Sequence, residues 1–300
     1  MRRLAVLLLL LLSAPALGAT PASAPWGLDR IDQRALPLDG GYHARAAGAG
    51  VTVYVVDTGI RLSARDFGGR AVTGVDEVDG GEAADCNGHG THVAGTIGGV
   101  RYGVARQVRL VAVRVLDCQG RGTASSVLRG LEWVLADHRA GQPAVLNMSL
   151  GGAPSSSLDR QTRALAKDGI VVVVAAGNDG GDACRTSPAR TRVAITVSAT
   201  DRSDGRPAWA NTGRCVDLFA PGVDITSDWV TGDTATRTVS GTSMASPAVA
   251  GAAALYLSAH PAATPAQVRA ALVRAATPGV VRGHGSAPDR LLYVSPAAAG

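Results

Sequence analysis

Four polar side chains stand at the ends of apolar segments, and together they are suited to nucleophilic catalysis. Asp57 closes the run VTVYVVD, His89 opens HGTHVAG, Asn178 closes IVVVVAAGN, and Ser243 opens the helical pattern of GTSMASP. A serine hydroxyl becomes a strong nucleophile when an imidazole accepts its proton and a carboxylate orients that imidazole. The residue types therefore predict Ser243 as nucleophile, His89 as general base and Asp57 as its orienting partner.

The same segments offer two donors for the oxyanion that such an attack creates. The backbone N–H of Ser243 lies at a predicted helix start, where the helix dipole is positive. The side-chain amide of Asn178 can donate a second hydrogen bond, and one such donor contributes about 3 kcal/mol to catalysis. Small residues before Asn178 leave room for a substrate.

The elements that must position these residues follow from the alternation of apolar runs and amphipathic stretches. The runs VTVYVVD, VRLVAVRVL, AVLNMSL and IVVVVAAGN are separated by helical patterns, and Thr264, Pro265 and Gln267 predict the start of the last helix. Such alternation predicts a single-domain, doubly wound α/β fold, with a mostly parallel sheet and helices on both faces. In this fold, ligands bind beyond the carboxyl ends of the strands.

The composition allows one sizeable core and argues against several classes of protein. The chain has 300 residues, 46% hydrophobic and 18% charged, which disfavours disorder, collagen-like repeats and a small disulfide-rich scaffold. Its 29 Lys and Arg residues outnumber 24 Asp and Glu residues only slightly. Because no basic run is interleaved with aromatic residues, a nucleic-acid partner is not expected.

The first residues have the three-part form of a secretory signal peptide. Arg2 and Arg3 precede an apolar run, which is followed by small residues. Cleavage after Gly18 fits the small-residue rule better than cleavage after Ala19. A membrane anchor is the alternative, but the run is shorter than the roughly 18 to 20 residues that span a bilayer. We expect a secreted or periplasmic protein with no membrane contact after leader removal.

The chain is divided accordingly into three segments. Residues 1–18 are predicted to be the signal peptide, 19–50 an N-terminal arm, and 51–300 the catalytic domain, which forms one unit with the arm. Four cysteines in an exported chain suit two disulfides, and three pairings are possible. A cysteine-bound zinc ion is disfavoured because the sequence contains no C-x-x-C motif.

Beyond these patterns, the chain resembles the subtilase family of serine proteases, peptidase family S8. The motifs VVDTGI, NGHGTHVAGT, NMSLGG, VAAGN and GTSMASP carry the resemblance, in the chain order Asp, His, Ser. WGLDRIDQR, AVRVLDC and CVDLFAPG look like segments of the proteinase K branch, and of its aqualysin group in particular. The resemblance implies a subtilisin-like fold, a triad of Asp57, His89 and Ser243, and Asn178 as the oxyanion residue.

The resemblance also implies how a polypeptide substrate binds. The peptide is expected to lie as a strand between two extended segments. Small, apolar pocket walls favour an aromatic or long aliphatic side chain before the scissile bond, and Arg121 is expected to favour acidic residues further out. The implied contacts are Gly120, Arg121, Gly122, Ser149, Leu150 and Gly151 along the peptide, and Gly152, Ala175, Ala176 and Gly177 around the pocket.

Disulfides and calcium are likewise implied by the resemblance. It pairs Cys86 with Cys118 and Cys184 with Cys215. Structural Ca²⁺ is expected, with no cofactor for catalysis, because oxygen ligands occur at the matching positions. One site is expected to use Asp217 with the backbone carbonyls of Arg192 and Ala194, and a second to use Asp29, Asp32, Gln33 and Asp39.

Two features depart from the family pattern. Secreted members carry an inhibitory pro-domain that assists folding, whereas here WGLDRIDQ follows the leader almost directly. A parallel sheet with many non-local contacts folds slowly, so we expect poor unaided folding unless a separate pro-domain or chaperone assists. The second departure is Ala248, where the family often has histidine, at a position outside the triad.

Other chemistries fit the sequence less well. An aspartic protease needs a second DTG or DSG loop, a metalloprotease of this type needs H-E-x-x-H, and an α/β-hydrolase places its acid and histidine after the serine. The expected function is therefore that of a monomeric, secreted serine endopeptidase of broad specificity. The alternative is a non-catalytic or folding-deficient remnant of the subtilisin fold that binds peptides.

Overall fold

A computed structural model describes residues 23–44 and 46–295. The predicted signal peptide over 1–18 and the predicted mature N-terminus at Ala19 lie outside the described residues. Among the helices of the described part, none combines the length and the apolar character needed to cross a bilayer.

A nine-stranded sheet runs through the centre of the described residues, and all its strand pairs are parallel except the pair at one edge. The predicted doubly wound α/β fold is confirmed. Across the sheet, the strands lie in the order β10 (Thr277–Pro278), β11 (Arg290–Leu291), β7 (Leu218–Pro221), β6 (Ile195–Thr200), β5 (Val171–Ala175), β4 (Ala144–Met148), β1 (Thr52–Asp57), β3 (Arg109–Arg114) and β2 (Ala71–Asp76).

Helices cover both faces of this sheet, and a short antiparallel hairpin lies outside it. The last helix begins with the capping box of Thr264 and Gln267, which confirms the predicted start. The helices are α1 (Trp26–Ile31), α2 (His89–Gly98), α3 (Ala124–Asp137), α4 (Ser156–Lys167), α5 (Thr242–Ala259) and α6 (Pro265–Ala275), and the hairpin strands are β8 (Ile225–Asp228) and β9 (Thr236–Val239).

Strand β1 shows how the apolar runs fill two separate cores. Val53 and Val55 pack into the core that contains α2, α5 and α6, whereas Tyr54 and Val56 pack into the core beneath α3 and α4. Successive side chains of a strand point to opposite faces, so a strand buried on both faces must be apolar throughout. This explains the near-continuous runs of valine in the sequence.

The strand order changes direction at β1, which has β4 on one side and β3 on the other. Chain segments leaving neighbouring parallel strands here diverge to opposite sides and open a crevice at the carboxyl edge of the sheet. Asp57 ends β1 at this edge, and the segments after β4 and β5 begin at the same edge. The fold therefore brings several of the predicted reactive residues to one crevice.

The first turn of α2 approaches the end of β1 unusually closely, and Gly90 makes this possible. A Cβ atom at position 90 would overlap the carbonyl oxygen of Gly59 and would lie 3.1 Å from the Cβ of Asp57. The backbone N–H of Gly90 donates to the hydroxyl of Thr58 at 2.9 Å. This close approach of the two backbones thus sets the distance between Asp57 and His89, the residue just before Gly90.

Gly90→Ala is expected to lower the free energy of unfolding by about 1 to 3 kcal/mol, because the added methyl group must push α2 away from β1. Chemical denaturation of the purified protein measures this change. Gly232→Ala is the matched control, since a Cβ atom there meets nothing closer than 3.7 Å. Equal stability of the two variants would show that α2 has room to move.

Candidate active site

Asp57 and His89 form a close side-chain pair at the carboxyl end of β1. Oδ1 of Asp57 lies 2.7 Å from Nδ1 of His89 and also accepts the backbone N–H of Thr58 at 2.7 Å. Asp57 is completely buried, whereas the His89 side chain keeps 29% of its surface exposed. This contact fixes Nδ1 as the protonated nitrogen and leaves Nε2 of His89 as a proton acceptor.

The surroundings of His89 favour its protonated form. Burial by itself lowers the pKa of the imidazole, but the charge of Asp57, its hydrogen bond and the charge of Asp85 outweigh that effect. The pKa of His89 is therefore raised above its ordinary value of 6.5. A raised pKa makes the imidazole a stronger base for accepting a hydroxyl proton.

Asp85 organises the loop that carries His89 into position. Its Oδ1 accepts the hydroxyl of Thr58 and the backbone N–H groups of Asn87 and Gly88 at 2.8 to 2.9 Å. Its Oδ2 accepts the backbone N–H and the hydroxyl of Thr91. One carboxylate therefore ties the end of β1 to both sides of His89.

Ser243 lies in the first turn of α5, as predicted, but its hydroxyl binds a backbone carbonyl and not the imidazole of His89. The hydroxyl donates to the backbone carbonyl of Ser149 at 3.1 Å, and no hydrogen bond joins Ser243 to His89 in the described part of the chain. Catalytic hydrogen bonds are often long or misaligned in a free enzyme. A role as nucleophile would require this hydroxyl to exchange the Ser149 carbonyl for the imidazole of His89.

The backbone around Ser243 is held by an unusual contact that Pro247 makes necessary. Pro247 lies within α5 and has no N–H to donate to the carbonyl four residues earlier, that of Ser243. The hydroxyl of Ser149 donates to this carbonyl at 2.9 Å and also contacts the hydroxyl of Ser246. Ser149 and Ser243 are thus joined twice, through the hydroxyl and the carbonyl of each.

Asn178 is oriented by the residue before Ser243. Its Oδ1 accepts both the backbone N–H and the hydroxyl of Thr242 at 2.9 Å. The amide nitrogen must then point the other way. A methyl group placed at Gly241 would lie 3.7 Å from Nδ2 of Asn178 and 3.6 Å from the backbone nitrogen of Ser243. These two hydrogen-bond donors therefore lie near each other, which an oxyanion site requires.

Two cavities meet at the segment after β4. The first has a volume of about 670 Å³ and is lined by His89, Gly120, Gly122 and the residues from Ser149 to Gly152. The second, of about 490 Å³, is lined by the same segment, by Ala175 to Asn178 and by Ser243. The structure thus brings the predicted substrate-binding residues together except Arg121, which is exposed and lines neither cavity.

Five residues line the second cavity without having been predicted from the sequence, namely Ala153, Asp179, Arg185, Thr186 and Thr242. Arg185 and Thr186 reach the pocket because Ser187 pairs with Gly152 through two backbone hydrogen bonds of 3.0 and 3.1 Å. No periodic pattern in the sequence signals this pairing. The nearest signal in the sequence is Cys184, which the structure joins to Cys215 by a disulfide. A second disulfide joins Cys86 to Cys118, and both pairings are those that the resemblance implies.

Asp217, expected to bind calcium with Arg192 and Ala194, is already engaged by protein groups. Its Oδ1 contacts the guanidinium of Arg269, and its Oδ2 accepts the backbone N–H of Thr196 at 2.9 Å. A guanidinium supplies the positive charge that a cation would otherwise bring to a carboxylate. These residues therefore do not fit a calcium ion in the arrangement that the structure has.

The side chains of the N-terminal arm fit a cation better. Asp29, Gln33 and Asp39 are linked because both Asp29 and Gln33 accept the backbone N–H of Asp39. Oδ1 of Asp32 is buried and lacks a hydrogen-bond partner among the described residues. Burial raises the pKa of Asp29 and of Asp32, backbone donors partly offset this rise, and the charge of Asp39 adds to it.

Crowded, buried carboxylates of this kind are stabilised by a hard cation with oxygen ligands. The arm nevertheless lacks a complete metal centre. Within residues 23–44 and 46–295, no three His, Cys, Asp or Glu side chains are arranged to hold a metal ion. Any ion there must take further oxygen atoms from the backbone or from water.

Comparison with known proteins agrees with this geometry. A family model described as "Subtilase family" matches residues 48–291. The chain is 59% identical over 277 residues to an extracellular serine proteinase of Thermus sp. (strain Rt41A), covering 92% of this chain and 67% of that protein. It is 51% identical over 276 residues to alkaline serine exoprotease A of Vibrio alginolyticus, covering 92% of this chain and 51% of that protein.

A solved structure gives the same result for the fold. The crystal structure of a cold-adapted subtilisin-like serine proteinase superposes with a TM-score of 0.88 at 50% identity, covering 91% of this chain and 98% of the other. The chain therefore belongs to the subtilase family of serine peptidases. It spans about half to two thirds of the length of the two relatives named above.

The raised pKa of His89 leads to a prediction about pH dependence. An imidazole that acts as a base must be neutral, so kcat/KM is expected to fall as the pH falls through a His89 pKa above 6.5. Asp85→Asn removes a negative charge that favours the imidazolium, so the pKa of His89 should fall and activity should persist to lower pH. Loss of loop contacts should also reduce kcat/KM, by about tenfold.

The pH profiles of kcat/KM for the wild type and for Asp85→Asn measure this shift in the pKa of His89. Glu82→Gln is the control, because Glu82 is an exposed carboxylate of the same loop and its replacement removes the same charge. A purely structural role of Asp85 would reduce activity equally at every pH and leave the acid limb where it is, which would contradict the prediction.

Proposed function

We propose that the chain is a secreted serine endopeptidase that hydrolyses peptide bonds through an acyl-enzyme on Ser243. The observation that carries this proposal is the Asp57–His89 contact of 2.7 Å beside the helix start that presents Ser243. The relative named "Extracellular serine proteinase" supports both the activity and the export. The paired side chains and the two oxyanion donors give no support to a non-catalytic remnant.

The proposed reaction begins when the Ser243 hydroxyl leaves the Ser149 carbonyl and passes its proton to Nε2 of His89. Its oxygen attacks the substrate carbonyl, and the oxyanion accepts hydrogen bonds from the Ser243 N–H and Nδ2 of Asn178. His89 then protonates the leaving amine as the peptide C–N bond breaks. Water, deprotonated by His89, hydrolyses the acyl ester and restores the serine.

The proposed substrate is an extended polypeptide that adds a strand between two segments of the chain. Gly120, Gly122 and the segment from Ser149 to Gly151 all line the first cavity, which supports pairing through backbone groups. Such pairing reads little of the substrate sequence and supports broad specificity. Apolar side chains before the scissile bond are expected to pack against Ala175 and Ala176.

We further propose that calcium stabilises the N-terminal arm and that Asp217 does not bind it. When bound, the ion supplies positive charge to buried carboxylates and takes no part in the reaction. Asp29, Asp32, Gln33 and Asp39 are the residues that would hold it. The unpartnered Oδ1 of Asp32 supports this choice, and the guanidinium of Arg269 argues against the other.

Covalent labelling tests the proposed activity directly. A fluorophosphonate should form a single adduct with the purified protein, seen as one added mass by intact mass spectrometry, because only an activated serine reacts. Ser243→Ala should give no adduct and lower kcat by a factor on the order of 10⁶. Asn178→Ala should keep the adduct and lower kcat by about 10² to 10³, because one oxyanion donor is lost.

Ser125→Ala is the control for labelling, since Ser125 is an exposed serine at the start of α3. An adduct that survives in Ser243→Ala would place the nucleophile elsewhere. A folded protein without any adduct would instead favour the peptide-binding alternative.

The calcium proposal predicts a difference between two matched variants. Adding calcium to the metal-free protein should raise its Tm, because a ligand that binds only the folded state stabilises it. Asp32→Asn should abolish most of this rise, whereas Asp217→Asn should retain it despite a lower starting Tm. Thermal unfolding with and without calcium measures both effects. A rise lost only in Asp217→Asn would assign the ion to Asp217.

A further inference from the structure

The second cavity is lined by charged side chains as well as by small, apolar residues. Most of its lining comes from glycine, alanine and backbone, but Asp179 and Arg185 also line it. In subtilase chemistry as proposed above, this cavity receives the side chain before the scissile bond, because it contains both Ser243 and Asn178. A charged residue in such a cavity selects substrates by the charge of that side chain.

The backbone of Arg185 is held firmly at the cavity wall. Arg185 ends the short 3-10 helix Ala183–Arg185, which Asp182 caps by accepting the N–H of Cys184 at 2.9 Å. Cys184 is joined to Cys215 by a disulfide. Beyond Arg185, Ser187 is paired with Gly152 through backbone hydrogen bonds. Constraints on both sides therefore keep Arg185 next to the pocket.

The guanidinium of Arg185 has no protein partner within the described residues. The residue is exposed, and its side chain makes no hydrogen bond there and has no carboxylate within 4.0 Å. Nearby carboxylates are engaged elsewhere, since Asp159 binds Arg190 and Asp182 caps the 3-10 helix. An unpaired guanidinium is a ready partner for a carboxylate, which it can bind through two parallel hydrogen bonds.

Asp179 is the competing charge in the same cavity. A Cβ atom at Gly177 would lie 3.5 Å from its Oδ1, and one at Gly181 would lie 3.3 Å from its Oδ2. The carboxylate of Asp179 thus lies against these two glycines, and no ion pair joins it to Arg185. Because these two opposite charges do not pair with each other, each of them is available to a charged side chain of the substrate.

We propose that Arg185 makes this pocket accept an acidic side chain, and glutamate in particular, immediately before the scissile bond. Glutamate has two methylene groups, which can pack against Ala175 and Ala176, and a carboxylate for the guanidinium. Aspartate is shorter and places its carboxylate nearer the pocket mouth. This inference rests on the proposed endopeptidase function and adds acidic residues to the apolar ones expected from the small walls.

The test compares peptides that differ only in the residue before the cleaved bond, which is Glu, Gln, Leu or Lys. The wild-type protein should cleave the Glu peptide with a kcat/KM about tenfold above that of the isosteric Gln peptide, and salt should reduce this ratio. Arg185→Gln should bring the Glu-to-Gln ratio to about one. Arg185→Glu should invert the preference and favour the Lys peptide.

Arg163→Gln is the matched control, since Arg163 is exposed on α4 and outside both cavities; its Glu-to-Gln ratio should equal that of the wild type. An equal ratio in the wild type and Arg185→Gln would overturn the inference. A preference for Lys that Asp179→Asn abolishes would overturn it as well and assign selectivity to Asp179.

Fluorophosphonate labelling of the same preparations separates the two proposals. Labelled protein that cleaves the Leu peptide without preferring Glu to Gln retains the proposed function and contradicts the role of Arg185. Protein that is folded but neither labelled nor active contradicts both proposals.

Discussion

The buried carboxylate of Asp57 is the constraint on which the rest of the site depends. A charge removed from water is costly unless hydrogen bonds and an opposite charge compensate it. The N–H of Thr58 and the imidazole of His89 both bind its Oδ1, at 2.7 Å each, whereas its buried Oδ2 has no hydrogen-bond partner among the described residues. The imidazole can approach so closely only because Gly90 has no side chain to hold α2 away from β1. Stability and catalytic geometry are therefore linked at one contact.

Each reactive side chain is oriented by a neighbour that does not react. Asp85 holds the loop before His89, Thr242 fixes the amide of Asn178, and Ser149 binds the backbone that Pro247 leaves without a partner. These supporting bonds mostly join side chains to backbone groups. Because backbone positions are set by the sheet and by α5, the site inherits the rigidity of the core.

Local patterns predict the secondary structure of this chain, whereas the surroundings of single side chains depend on distant segments. The valine runs fixed the buried strands, and Thr264 with Gln267 marked a helix start, because both signals act within a few residues. No local pattern around Asp217 predicts its contact with Arg269. That guanidinium comes from α6, far along the chain, and only packing against the sheet brings it to the carboxylate.

Local patterns are enough to predict the residue types of the proposed triad, their order and the parallel sheet, because hydrophobic periodicity and strand-end positions are local properties. Tertiary structure decided what surrounds those residues. It turned the Ser243 hydroxyl toward Ser149, made Asp85 part of the support of His89, and placed Arg185 at the second cavity through the pairing of Ser187 with Gly152. Such contacts join segments whose separation along the chain carries no periodic signal, so only the folded backbone determines them.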